Sequence, residues 1–141
     1  MGLEWTWPAS DPRHLGRFTT GTYGSYRPTQ NLIRLSRALQ TTSLEARSTI
    51  LLHELTHLND DLNKRFGNLA DVQGDACYEA EARAFSNEAN FWHMLFGDSG
   101  KHPADALESQ ENRKMWAFIG NMPFADLVVR TTTSYVNQCG L

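Results

Sequence analysis

The chain has 141 residues, the length of one domain with room for a single sizeable core. Its 13 Lys and Arg stand against 16 Asp and Glu, a formal net charge of -3, and no basic run is present to meet a nucleic-acid backbone. Hydrophobic residues make up 40%, yet no apolar run approaches the roughly 18 residues a membrane span needs, and the polar, Trp-containing start lacks the basic-then-apolar order of a signal peptide.

Taken in chain order, the first segment carries prolines at 8 and 12 and reads as an irregular lead-in over residues 1–17. That leaves a core over about residues 18–120 of a single domain. Phe18 to Tyr26 is rich in Thr and Tyr and contains Gly21 and Gly24, so it reads as a strand pair or one bulged strand. A turn at Arg27-Pro28-Thr29-Gln30 then leads to a short strand from Asn31 to Leu35, completing a small antiparallel hairpin or sheet.

Thr42-Ser43-Leu44-Glu45 matches a capping box with Thr42 as N-cap, and predicts a helix from Ser43 to about Arg65 stopped by Gly67. On a helical wheel Leu44, Leu51, Leu55, Leu58 and Leu62 share a stripe expected to be the buried face, with His53 and His57 on the opposite side. A second helix is expected from about Asp75 to Phe96, its apolar stripe formed by Phe85, Ala89, Trp92 and Phe96. His102-Pro103 opens a third helix ending near Gly120. In the last segment, from Pro123 through Gln138, helix and strand compete, and its Pro-Phe-Ala-Asp-Leu start favours helix. The fold class expected is α+β: a small antiparallel sheet on the helix of residues 43–65, then a mostly helical C-terminal half.

Cys77 and Cys139 are too few for a disulfide scaffold and read as a reduced, intracellular pair; with no leader or membrane segment, the expected location is cytoplasmic.

Residues 53 to 57 read His-Glu-Leu-Thr-His, an H-E-x-x-H in the middle of a helix. Two His four positions apart project from one face, about 6 Å apart along the axis, so both imidazoles can reach one Zn²⁺. Glu54 lies about 100° round the wheel, beside the ion rather than on it, where it can act as general base and then general acid. A zinc site needs a third protein ligand. A carboxylate on the following helix meets that need, and Tyr78-Glu79-Ala80-Glu81-Ala82-Arg83-Ala84-Phe85 supplies two, Glu79 and Glu81, about 200° apart, so that only one can face the ion. Asp71 and Asp75 are further alternatives.

These motifs resemble those of gluzincin-type zincins, compact zinc metallopeptidases with H-E-x-x-H on one helix and a ligand Glu on the next, here in the form E-x-E-A-x-x-F. The likeness covers about residues 20 to 96. It implies a zincin-like fold, one zinc ion held by His53, His57 and Glu79, and hydrolysis of a protein or peptide substrate with Glu54 as the catalytic base. It also implies that a substrate strand adds along the rim formed by Phe18–Tyr26 or Asn31–Leu35, where Gly21 and Gly24 permit close backbone approach. Many members carry Asp or Asn four residues after the ligand to orient a metal-bound His; this chain has Arg83 there, and an Arg83–Glu79 pair is the plain alternative. Asp60, close to His53 on the wheel, reads as a solvated helix residue that could instead orient a ligand.

An oxyanion-stabilising group could come from Tyr78, Arg83, His93, His102 or Tyr135. His93 sits among apolar residues and reads as packed; His14 lies in the irregular start; Trp5, Trp7 and Trp116 read as packing residues. The function expected is a zinc-dependent metallopeptidase, with a zinc-containing binding domain without turnover as the alternative.

Overall fold

The computed structural model describes residues 2–7, 18–20 and 23–96, together with 126, 128 and 139. It is α+β. Four strands, β1 (Gly2–Trp7), β2 (Phe18–Thr20), β3 (Gly24–Arg27) and β4 (Leu32–Ser36), are followed by two helices, α1 (Leu44–Leu62) and α2 (Gly74–Phe96). The strands form one sheet in the order β1-β4-β3-β2.

The expected hairpins are present. β2 pairs antiparallel with β3, Phe18 opposite Tyr26 and Thr20 opposite Gly24, and β3 pairs antiparallel with β4, Gly24 opposite Leu35 and Tyr26 opposite Ile33. The β3–β4 turn passes through a 3-10 turn at Pro28–Gln30 and closes on Asn31 at φ 48°, a left-handed position Asn tolerates. The irregular lead-in is corrected: Gly2–Trp7 is a strand, paired in parallel with β4 from Gly2 opposite Leu32 to Trp5 opposite Leu35. Its partner lies far along the chain, so no turn signal announces the pairing.

α1 begins one residue later than the capping box places it. Ser43 is the N-cap and accepts from the Ala46 amide, while the Thr42 hydroxyl donates to the Leu39 carbonyl. The helix closes at Asn63, and Lys64 at φ 51° and Gly67 at φ 76° turn the chain away. The expected Leu stripe holds only in its middle: Leu58 is buried and Leu51 and Leu55 pack half-buried against the main core. Leu44 and Leu62 are 68% and 62% exposed, whereas Ala46, Ile50, His53, His57 and Asp60 are wholly buried. α1 lies between the sheet and α2 and is buried from both sides.

Alternation on the sheet sends Tyr26, Ile33 and Leu35 to one face, and they join Ala46, Ile50 and Leu58 of α1 and Cys77, Tyr78 and Ala80 of α2 in the main core. The stripe foreseen on α2 packs as expected, with Phe85, Ala89, Trp92 and Phe96 forming a second cluster with Ala82. Cys139 is bonded to Cys77 and lies within the main core, so the reduced pair is corrected to a buried disulfide between residues 62 apart. The cysteines therefore lend no support to a cytoplasmic location. Residues 126, 128 and 139 are helical, while the expected third helix, His14, His102, Trp116 and Tyr135 lie outside the described residues. Among the described residues no helix is long and apolar enough to cross a membrane.

Candidate metal centre

The two histidines of His-Glu-Leu-Thr-His leave α1 toward α2, and α2 answers with Glu81. His53 Nε2 stands 3.2 Å from Glu81 Oε2 and 3.2 Å from His57 Nε2; His57 Nε2 is 3.4 Å from Glu81 Oε1. Ligands bound to a tetrahedral ion at about 2.0–2.1 Å stand about 3.4 Å from one another, so the three groups have the spacing of three corners of such a site. His53, His57 and Glu81 lie close enough together to hold a metal ion. All three are wholly buried.

The structure exchanges the two glutamates of the E-x-E-A segment. Glu81, not Glu79, joins the histidines. Glu79 is exposed on the other side of α2, where it lines a cleft of about 460 Å³ with Arg65, Phe66, Arg83, Ser86 and Asn87. Asp71 and Asp75 are also exposed and stand outside the cluster. Arg83 does not pair with Glu79. Its Nε donates to both oxygens of Asp60, at 2.9 and 3.0 Å, and Arg65 Nε lies 3.2 Å from the same carboxylate. Asp60 is therefore not a solvated residue: it is fully buried and ties α1 to α2 one turn beyond His57.

Glu54 is fully buried against β3. A Cβ built on Gly24 would lie 3.0 Å from Glu54 Oε1 and 3.2 Å from both Glu54 Cγ and Ile50 Cγ2. The missing side chain at 24 thus makes room for Glu54. Below, the Tyr26 hydroxyl donates to Asp61 Oδ2 at 2.7 Å, holding β3 to the end of α1. Burial and that carboxylate raise the phenol well above its usual range. Of the other groups weighed for oxyanion stabilisation, Tyr78 is buried in the main core, Arg83 is engaged by Asp60, and His93 sits in the last turn of α2.

One member of the site has no counterpart in the sequence reading. Glu88 Oε1 lies 2.9 Å from His53 Nδ1, both groups fully buried. Glu88 follows Glu81 by two helical turns and so shares its face, which is the signal that could have found it. The Phe85 ring packs edge-on to His53 at 4.6 Å between centroids.

The charges are strongly coupled. Burial alone lowers His53, but hydrogen bonds with Glu81 and Glu88 and the nearby Glu54 carboxylate outweigh it and raise it to about 10. Burial lowers His57, helped by repulsion from His53, and the Glu81 and Asp60 carboxylates do not restore it. Burial opposes the charge on Glu81, but attraction to His57 and hydrogen bonds with both histidines hold it at about 2. Without an ion, the cluster therefore holds a proton on the His53 side against an ionised Glu81.

No protein-family model matches the chain, and no curated protein and no solved structure match it.

Proposed function

We propose that the chain is a zinc-dependent metallopeptidase of the zincin-like kind, with His53, His57 and Glu81 as zinc ligands and Glu54 as the catalytic base. The observation that carries the reading is the convergence of two imidazole Nε2 atoms and a carboxylate at tetrahedral spacing, from a helix that also carries a buried glutamate beside them. Two neutral nitrogens and one carboxylate are a donor set suited to Zn²⁺. When bound, zinc lowers the pKa of a coordinated water to about 7 and polarises a carbonyl. Glu54 then accepts the proton of the attacking water and returns it to the leaving amine. Gly24 fixes the side of Glu54, and β2, the outer strand of the sheet among the described residues, offers a backbone along which an extended peptide can pair.

The complete burial of His53, His57, Glu81 and Glu54 favours a second reading, a zinc-containing binding domain without turnover. One set of proteins separates the two. Elemental analysis is expected to find about one zinc per chain in the wild type and in Glu79→Ala, and none in Glu81→Ala. A zinc-loaded Glu54→Gln protein is expected to lose cleavage of a peptide library by at least about 100-fold while keeping its metal. Zinc lost with Glu79→Ala but not with Glu81→Ala would overturn the ligand set; cleavage that survives Glu54→Gln would overturn the mechanism. Zinc in the wild type with no cleavage leaves the binding domain.

A further inference from the structure

We infer that Glu88 is the positioning residue of this metal centre: it fixes the tautomer and plane of His53 and strengthens that imidazole as a ligand. The inference rests on the metal reading above and deepens it. His53 is held at both ring nitrogens by the same helix. Its Nε2 faces Glu81 and His57 within the cluster, and its Nδ1 lies 2.9 Å from Glu88 Oε1 on the far side of the ring. Nε2 faces the other donors and must present its lone pair to an ion there, so Nδ1 carries the hydrogen and donates it to Glu88 Oε1. Phe85 packs edge-on against the ring, a further contact holding it in this plane.

The position four residues after Glu81 is Phe85, so an acid at that spacing is absent, and the carboxylate comes instead from a turn further along. A residue serving only to fill this space would be apolar, because a buried carboxylate is stable only when its charge is met. Here it is met by His53, at full burial of both groups. Through this hydrogen bond the negative charge makes the imidazole more basic, and groups so placed typically set metal affinity within a 10–100-fold range.

The test compares Zn²⁺ affinity in the wild type, Glu88→Gln and Glu88→Leu by competition with a chromophoric chelator, with ¹⁵N NMR of the His53 ring as the second readout. Glu88→Leu, of similar bulk and without an acceptor, is expected to bind about 100-fold more weakly and to lose the single Nδ1–H tautomer. Glu88→Gln keeps an acceptor but no charge, and is expected to retain the tautomer while binding about tenfold more weakly. A space-filling role would change the melting temperature and leave affinity and tautomer as they are. Leu within twofold of the wild type overturns the inference; if Leu does not fold, Gln within twofold does so. A wild type that binds no zinc instead overturns the metal reading beneath it.

Discussion

Gly24 has no side chain, and that fact governs the residue held to be the base. A Cβ there would meet Glu54 Oε1 at 3.0 Å and both Glu54 Cγ and Ile50 Cγ2 at 3.2 Å, so these neighbours must give by a few tenths of an ångström. Gly24→Ala is therefore expected to turn Glu54 off its rotamer, at about 1 kcal/mol, and to lower peptide hydrolysis about tenfold or more with zinc content unchanged. Unchanged turnover in zinc-loaded Gly24→Ala would show that the contact is slack. The neighbouring His53 carries the clearest pH dependence. Its pKa, raised to about 10, means that the metal-free cluster holds a proton where the ion would sit. Such a group stabilises the fold fully below its unfolded value near 6.5, and the contribution is lost as pH rises through about 10. Glu81, held at about 2, runs the opposite way: its contribution is present above the usual carboxylate range and fades as pH falls toward 2. Of the three clustered groups, His53 is the one with a proton to give up between pH 7 and 9, since His57 is lowered and Glu81 is already ionised. Zinc binding is thus expected to displace the His53 proton, beyond any proton released by the coordinated water, and to tighten as pH rises, measured by calorimetry in buffers of different ionisation heat. An affinity that does not change between pH 7 and 9 would contradict this charge arrangement.

At the scale of elements, α1 explains both what could be read from the chain and what could not. The helix and its H-E-x-x-H were legible because a cap, a stop and a spacing of four residues are local signals. The direction in which the helix faces was not. The periodicity of its leucines names one buried face, but α1 packs against the sheet on one side and α2 on the other, so its polar residues are buried too. Asp60 and Asp61 look like surface charges until α2 supplies Arg83 and β3 supplies Tyr26. The choice between Glu79 and Glu81 depends on the rotation of α2 about its axis, set by Cys77, Phe85 and Trp92 packing in the two cores. β1 was missed because a parallel partner leaves no turn to read. The orientation of α1 can be checked directly. Leu62→Lys, on the exposed end, is expected to change stability by less than about 0.5 kcal/mol, whereas Ile50→Ala is expected to cost about 2–5 kcal/mol in urea unfolding. Comparable losses at both positions would restore the leucine face.

For the whole molecule, the bond between Cys77 and Cys139 joins the first turn of α2 to a residue 62 positions later, and both half-cystines lie in the main core. Closing a loop of that length stabilises the fold by roughly 4 kcal/mol relative to the open chain. Cys139→Ser is expected to lower the unfolding free energy by about that amount, read from urea titrations of the oxidised wild type and the variant; equal midpoints would mean the core holds the chain end without the bond. Cys77 stands one turn before Glu81, on the same face of α2, so the bond and the His53–His57–Glu81 cluster share a strip of helix. This gives synthesis a direction. His53, His57 and Glu81 all precede residue 139 in the chain, so the side chains of the cluster leave the ribosome before the partner of Cys77 does. The sulfur bond can only come last, after every side chain of the cluster has been made.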